Sequence, residues 1–171
     1  MKENYVSLFG GSGNDRTSKE YLETIEIGKL LAHMGYVVKN GGYGGMMEAV
    51  SKGITDVGGK AIGITCKEVG SAFGNKYLTE TIVTNRLYER LELLIDNTSL
   101  FIVQRGGIGT LSEVFLALDI IRKDKTVSSP KVLFIGDIWN GVLKSLKNII
   151  PKKEHFLFEV IEDVDDLKKY L

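Results

Sequence analysis

Leu100-Phe101-Ile102-Val103-Gln104-Arg105-Gly106-Gly107-Ile108-Gly109-Thr110-Leu111-Ser112-Glu113-Val114-Phe115 sets an apolar run, a glycine cluster and a helix-like pattern in direct succession. The run Leu100–Val103 has no polar alternation, so it reads as a strand covered on both faces. The glycines stop it. Thr110-x-x-Glu113 ahead of Val114-Phe115-Leu116-Ala117 then opens a helix, with the spacing of a capping box.

The same order recurs twice upstream. An apolar strand over 5–9 stops at Gly10-Gly11-Ser12-Gly13, and one over 36–40 stops at Gly41-Gly42-Tyr43-Gly44-Gly45. Thr17-Ser18-Lys19-Glu20 has capping-box spacing and opens a helix to about residue 34, with Gly35 beyond its end. Tyr21, Ile25, Gly28 and Ala32 share a face of that helix, with Leu22 and Leu31 beside them; the small residues would let it lie close to a sheet. A second helix runs from Met46 to about Val57. A third strand covers 60–65, a loop 66–79 and a short fourth strand 81–84. Asn85 is placed to cap a helix with Leu87, Leu91, Leu94 and Ile95 on one face. The helix after Gly109 runs to about Lys123. Beyond it come a strand over 130–135, a helix over 139–149, a strand over 158–161 and a short helix over 163–171.

Alternating strands and helices, with strands apolar on both faces, predict a parallel sheet. The expected fold is α/β: one domain over 1–171, a doubly wound, Rossmann-like, mainly parallel sheet of six to seven strands with helices on both faces. Ligands of such sheets lie beyond the carboxyl ends of the strands, where the three glycine clusters fall.

Composition narrows the function. Glycine supplies 20 of 171 residues, well above the usual ~7%, in a chain rich enough in aliphatics to bury a core. The formal net charge is zero, which gives no broad electrostatic case for nucleic acid. One cysteine leaves no disulfide framework, the first residues carry no signal-peptide core, and no apolar run spans a bilayer. A cytoplasmic protein that avoids membranes is expected.

Gly106, Gly107, Ile108, Gly109 and Thr110 would offer backbone N–H groups and a hydroxyl to a phosphate; no Walker lysine is present, so a single phosphate fits better than a magnesium-bound triphosphate. Gly42, Gly44, Gly45 and Met47 frame a second helix start, and Gly10 and Ser12 a third wall. Glu48 in the first helical turn complements the helix dipole. Arg86 and Arg90 lie one turn apart, as a solvated face or as a pair of guanidiniums for an anion. Glu113 is either a helix cap or a catalytic carboxylate. His33 and Cys66 read as structural, His155 after Lys152-Lys153-Glu154 reads as exposed, and no spacing suggests a metal.

Four stretches in order, "LFGGSG", "NGGYGGMMEAVSKG", "ERLELLI" and "GGIGTLSEV", resemble the LOG (Lonely Guy) family, within the wider group of LOG-like, lysine-decarboxylase-like and molybdenum-cofactor-carrier-like Rossmann proteins. The resemblance covers roughly residues 4–150. It implies a phosphoribohydrolase that cleaves the N-glycosidic bond of a nucleoside 5′-monophosphate, with no cofactor. It also implies Arg90 and Glu113 as the catalytic pair, phosphate contacts from Gly106, Gly107, Gly109 and Thr110, and a homodimer or higher homo-oligomer with the Arg90 helix near the interface. Arg105 stands where the family signature has proline, and Leu91 where it has lysine; Met47-Glu48 resembles the carrier-like branch. The alternative is a non-catalytic carrier or sensor of a nucleotide or molybdopterin-like phosphate ligand.

Overall fold

The computed structural model describes residues 4–13, 15–127, 129 and 131–171. Its elements are β1 (Asn4–Phe9), α1 (Lys19–His33), β2 (Tyr36–Asn40), α2 (Met46–Asp56), β3 (Ala61–Cys66), β4 (Glu80–Thr84), α3 (Leu87–Ile95) and β5 (Thr98–Val103). Then follow α4 (Ile108–Ile121), β6 (Val132–Ile135), α5 (Ile138–Ile149), β7 (Phe158–Ile161) and α6 (Val164–Leu167). Seven strands form one sheet in the order β4-β3-β2-β1-β5-β6-β7, every pair parallel. This is the Rossmann-like α/β arrangement. The winding reverses between β1 and β5, so the glycine-ended strands β2, β1 and β5 are neighbours at the centre.

The pleat divides the core. Val6 and Leu8 of β1 and Leu100 and Ile102 of β5 pack with α1, α2 and α6 on one face. Phe9, Phe101 and Val103 turn the other way, toward α3, α4 and α5. Phe9 and Phe101 stack with ring centroids 5.7 Å apart, diagonally across the β1–β5 seam, where Phe9 is in register with Val103 and Phe101 with Ser7.

Several local expectations are corrected. Ser18, not Thr17, caps α1: its hydroxyl accepts from the Tyr21 N–H, while the Thr17 hydroxyl bonds Asp15. Leu22 is exposed and Ile27 is buried, so the inward stripe of α1 is rotated from the one inferred. Gly28 does not approach the sheet. A methyl there would come within 2.5 Å of the Val50 carbonyl, and one at Gly53 within 2.0 Å of the Ile25 carbonyl, so the small residues serve a close α1–α2 crossing. Asn85 does not cap α3. Instead the Glu89 carboxylate reaches back to accept from the N–H groups of Asn85 (3.0 Å) and Arg86 (3.3 Å). α4 ends at Ile121 rather than Lys123, and two 3₁₀ turns, Lys152–Leu157 and Lys168–Tyr170, carry residues expected to be loop and helix. His155 is half-buried rather than exposed, with Nε2 3.3 Å from the Ile150 carbonyl. Pro130, the first residue of the expected sixth strand, lies outside the described residues. Among the described residues no helix is long and apolar enough to cross a membrane.

Candidate functional site

The carboxyl ends of β1, β2 and β5 open into a cavity of about 450 Å³, a size that suits a small ligand. Short backbone bonds between the glycine turns shape it. The Gly11 N–H donates to the Arg105 carbonyl (2.9 Å), and the Gly11 carbonyl accepts from the Met46 N–H (2.9 Å). One residue of the first turn thereby ties both other turns.

α4 starts at this cavity with Gly107 as its N-cap and no side-chain cap. The first intrahelical bond is Leu111 N–H to the Gly107 carbonyl (3.1 Å), so the N–H groups of Ile108, Gly109 and Thr110 precede the ladder and are available to an anion. At α2 the corresponding Met46 N–H is already taken by Gly11, which leaves α4 the helix start with more free N–H groups.

Glu113 makes no capping box, because no side chain caps α4. Its carboxylate faces the cavity, 9% exposed, 3.9 Å from Nη2 of Arg90. Burial pushes its pKa up to about 7, against a downward pull from Arg90. Arg90 is fixed from other directions. Its Nε donates to the Ile64 carbonyl (2.9 Å), its Nη2 to the Gly41 carbonyl (3.3 Å), and its guanidinium lies 5.2 Å from the centroid of the Tyr43 ring. α3, which carries Arg90, is anchored beneath by Lys39 of β2. The Lys39 ammonium donates to the carbonyls of Leu93 (2.8 Å) and Asp96 (2.6 Å), and burial lowers its pKa to about 8.

Of the expected site residues, Gly10, Ser12, Met47, Arg90, Gly107, Gly109, Thr110 and Glu113 line this cavity. Gly42, Gly44, Gly45 and Gly106 build the turns behind it without lining it, and Ile108 points out, 80% exposed. Arg86 is not brought in; its guanidinium lies over the exposed Tyr88 ring at 5.4 Å. Cys66 is buried with its Sγ toward the Asn85 carbonyl. Sequence reasoning missed Tyr43, Val69 and Leu87, which also line the cavity, and Arg16, which pairs with the buried Glu48 at 2.8 Å. The aromatic ring inside an otherwise all-glycine turn was the available signal for Tyr43. Nothing in the spacing marks Arg16. A larger cleft of about 620 Å³ lies over β6 and β7, with Arg105 on its rim beside Glu20, 3.5 Å away; α5 also starts there without a side-chain cap, but its Trp139 and Asn140 N–H groups already donate to the Gly136 and Asp137 carbonyls, and the cleft holds no buried ion pair like Arg90–Glu113.

Residues 3–145 match the model of the SLOG cluster4 family. A protein of Archaeoglobus fulgidus is 29% identical over 78% of this chain and 85% of its own length. The cytokinin riboside 5′-monophosphate phosphoribohydrolase of Mycobacterium tuberculosis is 35% identical over 58% of this chain; the match spans only 54% of that enzyme. Among solved structures, the molybdenum cofactor carrier protein of Chlamydomonas reinhardtii superposes with a TM-score of 0.79 at 22% identity, over 99% of this chain and 96% of that one, a likeness of fold.

Proposed function

This chain belongs to the SLOG cluster4 family, and from that premise we propose that it is a nucleoside 5′-monophosphate phosphoribohydrolase, releasing a free base and ribose 5-phosphate. The observation that carries the reading is Glu113: a buried carboxylate, free of helix capping, facing Arg90 beside an uncapped helix start. Breaking an N-glycosidic bond builds positive charge on the ribose, which an ionised Glu113 stabilises while orienting the attacking water. The N–H groups of 108–110 and the Thr110 hydroxyl take the phosphate and fix the sugar. The scheme needs no metal.

The chain acts as a homodimer in this reading. α3 and α4 present Tyr88, Phe115 and Ile120 to solvent, each about half exposed or more, a combination that a second copy would cover.

A second reading, a carrier or sensor of a nucleotide or molybdopterin-like phosphate ligand, is favoured by the Arg16–Glu48 pair. Both Glu48 oxygens meet Arg16 Nη2, at 2.8 and 3.1 Å, which ties Arg16 to the start of α2 beside the cavity-lining Met47. Incubation with AMP and related monophosphates separates the two. Free base from the wild type, lost in Glu113→Gln, supports the hydrolase; tight binding with no base released supports the carrier.

A further inference from the structure

Arg90 and Glu113 carry opposite charges at 3.9 Å, yet they do not close into a hydrogen bond. The reason lies on the other side of the guanidinium. Arg90 donates Nε to Ile64 and one Nη2 hydrogen to Gly41, and its guanidinium carbon lies over the Tyr43 ring, 5.2 Å from the centroid. The rest of its five N–H groups donate to nothing among the described residues.

Tyr43 is itself immobilised. Its phenol oxygen accepts from the Cys66 N–H at the end of β3 (3.0 Å) and donates toward the Ser71 carbonyl in the following loop (3.1 Å). Asn75 ties that loop to the glycine turn by donating to the Tyr43 carbonyl (3.0 Å). Gly41 completes the seat: a methyl there would stand 2.0 Å from Arg90 Nη2, and its backbone is not left-handed, so the requirement is for space alone.

We propose that Tyr43 is a positioning residue which, with the Gly41 and Ile64 carbonyls, holds the Arg90 guanidinium back from Glu113 so that the free donors and the carboxylate both face a ligand. The assignment rests on this cavity being the reacting site, but its test does not require turnover. Among the described residues, the charged and titratable groups that line the cavity are Arg90 from α3, Tyr43 from the turn after β2 and Glu113 itself; the turn after β1 contributes Gly10, Gly11 and Ser12, and Thr110 lies on Glu113's own helix. Burial raises the carboxylate's titration, and Arg90 is the nearby charge whose position opposes that rise.

The experiment follows the Glu113 side-chain carboxyl by carbon NMR against pH in the full chain. Wild type is expected to titrate at about 7. In Tyr43→Leu, folded by circular dichroism, the released guanidinium closes on the carboxylate and the midpoint falls by about one to three units; Tyr43→Phe, which keeps the ring, restores it. An unchanged midpoint in folded Tyr43→Leu overturns the proposal. If that variant fails to fold, Gly41→Ala unseats the guanidinium instead and carries the same two outcomes. In wild type alone, the Arg90 side-chain protons must show the upfield displacement of a cation over a ring, and ordinary solvated shifts overturn the assignment without any variant. Absent base release in wild type would sink the hydrolase reading and leave these titrations interpretable.

Discussion

Glu113 sits in a folded protein that would be more stable without its charge. Its pKa rises from 4.5 to about 7, so the native state holds a proton that the unfolded chain has released. Stability therefore falls as pH rises between those values, and the cost is complete above about 7, at about 3 kcal/mol. Glu113→Gln removes that dependence. Relative to wild type it should gain up to about 3 kcal/mol between about pH 5 and about pH 8, read from urea midpoints. The same substitution should lower base release by roughly 10²–10⁴-fold. In wild type, kcat/KM against pH should rise through about 7 with the slope of a single proton, because the ionised form is the reactive one. A rate that instead falls above that pH would make Glu113 a proton donor.

Among the elements, the α1–α2 crossing and the α4 start behave oppositely. Gly53 faces the Ile25 carbonyl across the crossing at a distance no Cβ tolerates. Gly53→Ala should destabilise by about 1–3 kcal/mol, outweighing the ~1 kcal/mol of helix propensity that alanine brings; a urea midpoint at or above wild type would refute the packing account. Sequence spacing located both helices but assigned Gly28 to the sheet, because periodicity gives a face and not its neighbour. It offered two roles for Glu113 for the same reason. Thr110-x-x-Glu113 has capping-box spacing, yet α4 begins at Ile108, which places Thr110 inside the helix and leaves no cap for Glu113 to complete. Strand ends, by contrast, were legible to within a residue or two, since Gly10, Gly41 and Gly106 each interrupt an apolar run. The pairings of Tyr43 and Arg16 were not legible, because their partners are 47 and 32 residues away in sequence and only the fold brings them together; the lone aromatic among glycines marked Tyr43 without naming Arg90.

At the scale of the whole molecule, the exposed apolar side chains of α3 and α4 make the homodimer testable. Light scattering should give twice the 18.9 kDa chain mass, and Phe115→Glu should return the single-chain value; a wild-type monomer would remove this part of the reading. The β1–β5 seam has a further consequence. Strands nearly a hundred residues apart in the chain are hydrogen-bonded there, and the Gly11 peptide bridges the two halves above them. A ligand gripping 10–12 on one side and 107–110 on the other acts as a reversible cross-link between the two halves of the polypeptide. Its binding energy is added to the unfolding free energy as RT ln(1 + [L]/Kd), roughly 2.7 kcal/mol at a hundredfold excess over Kd. The melting temperature thus becomes a ligand detector that presupposes no chemistry, able to rank nucleotides, pterins and sugar phosphates on one scale.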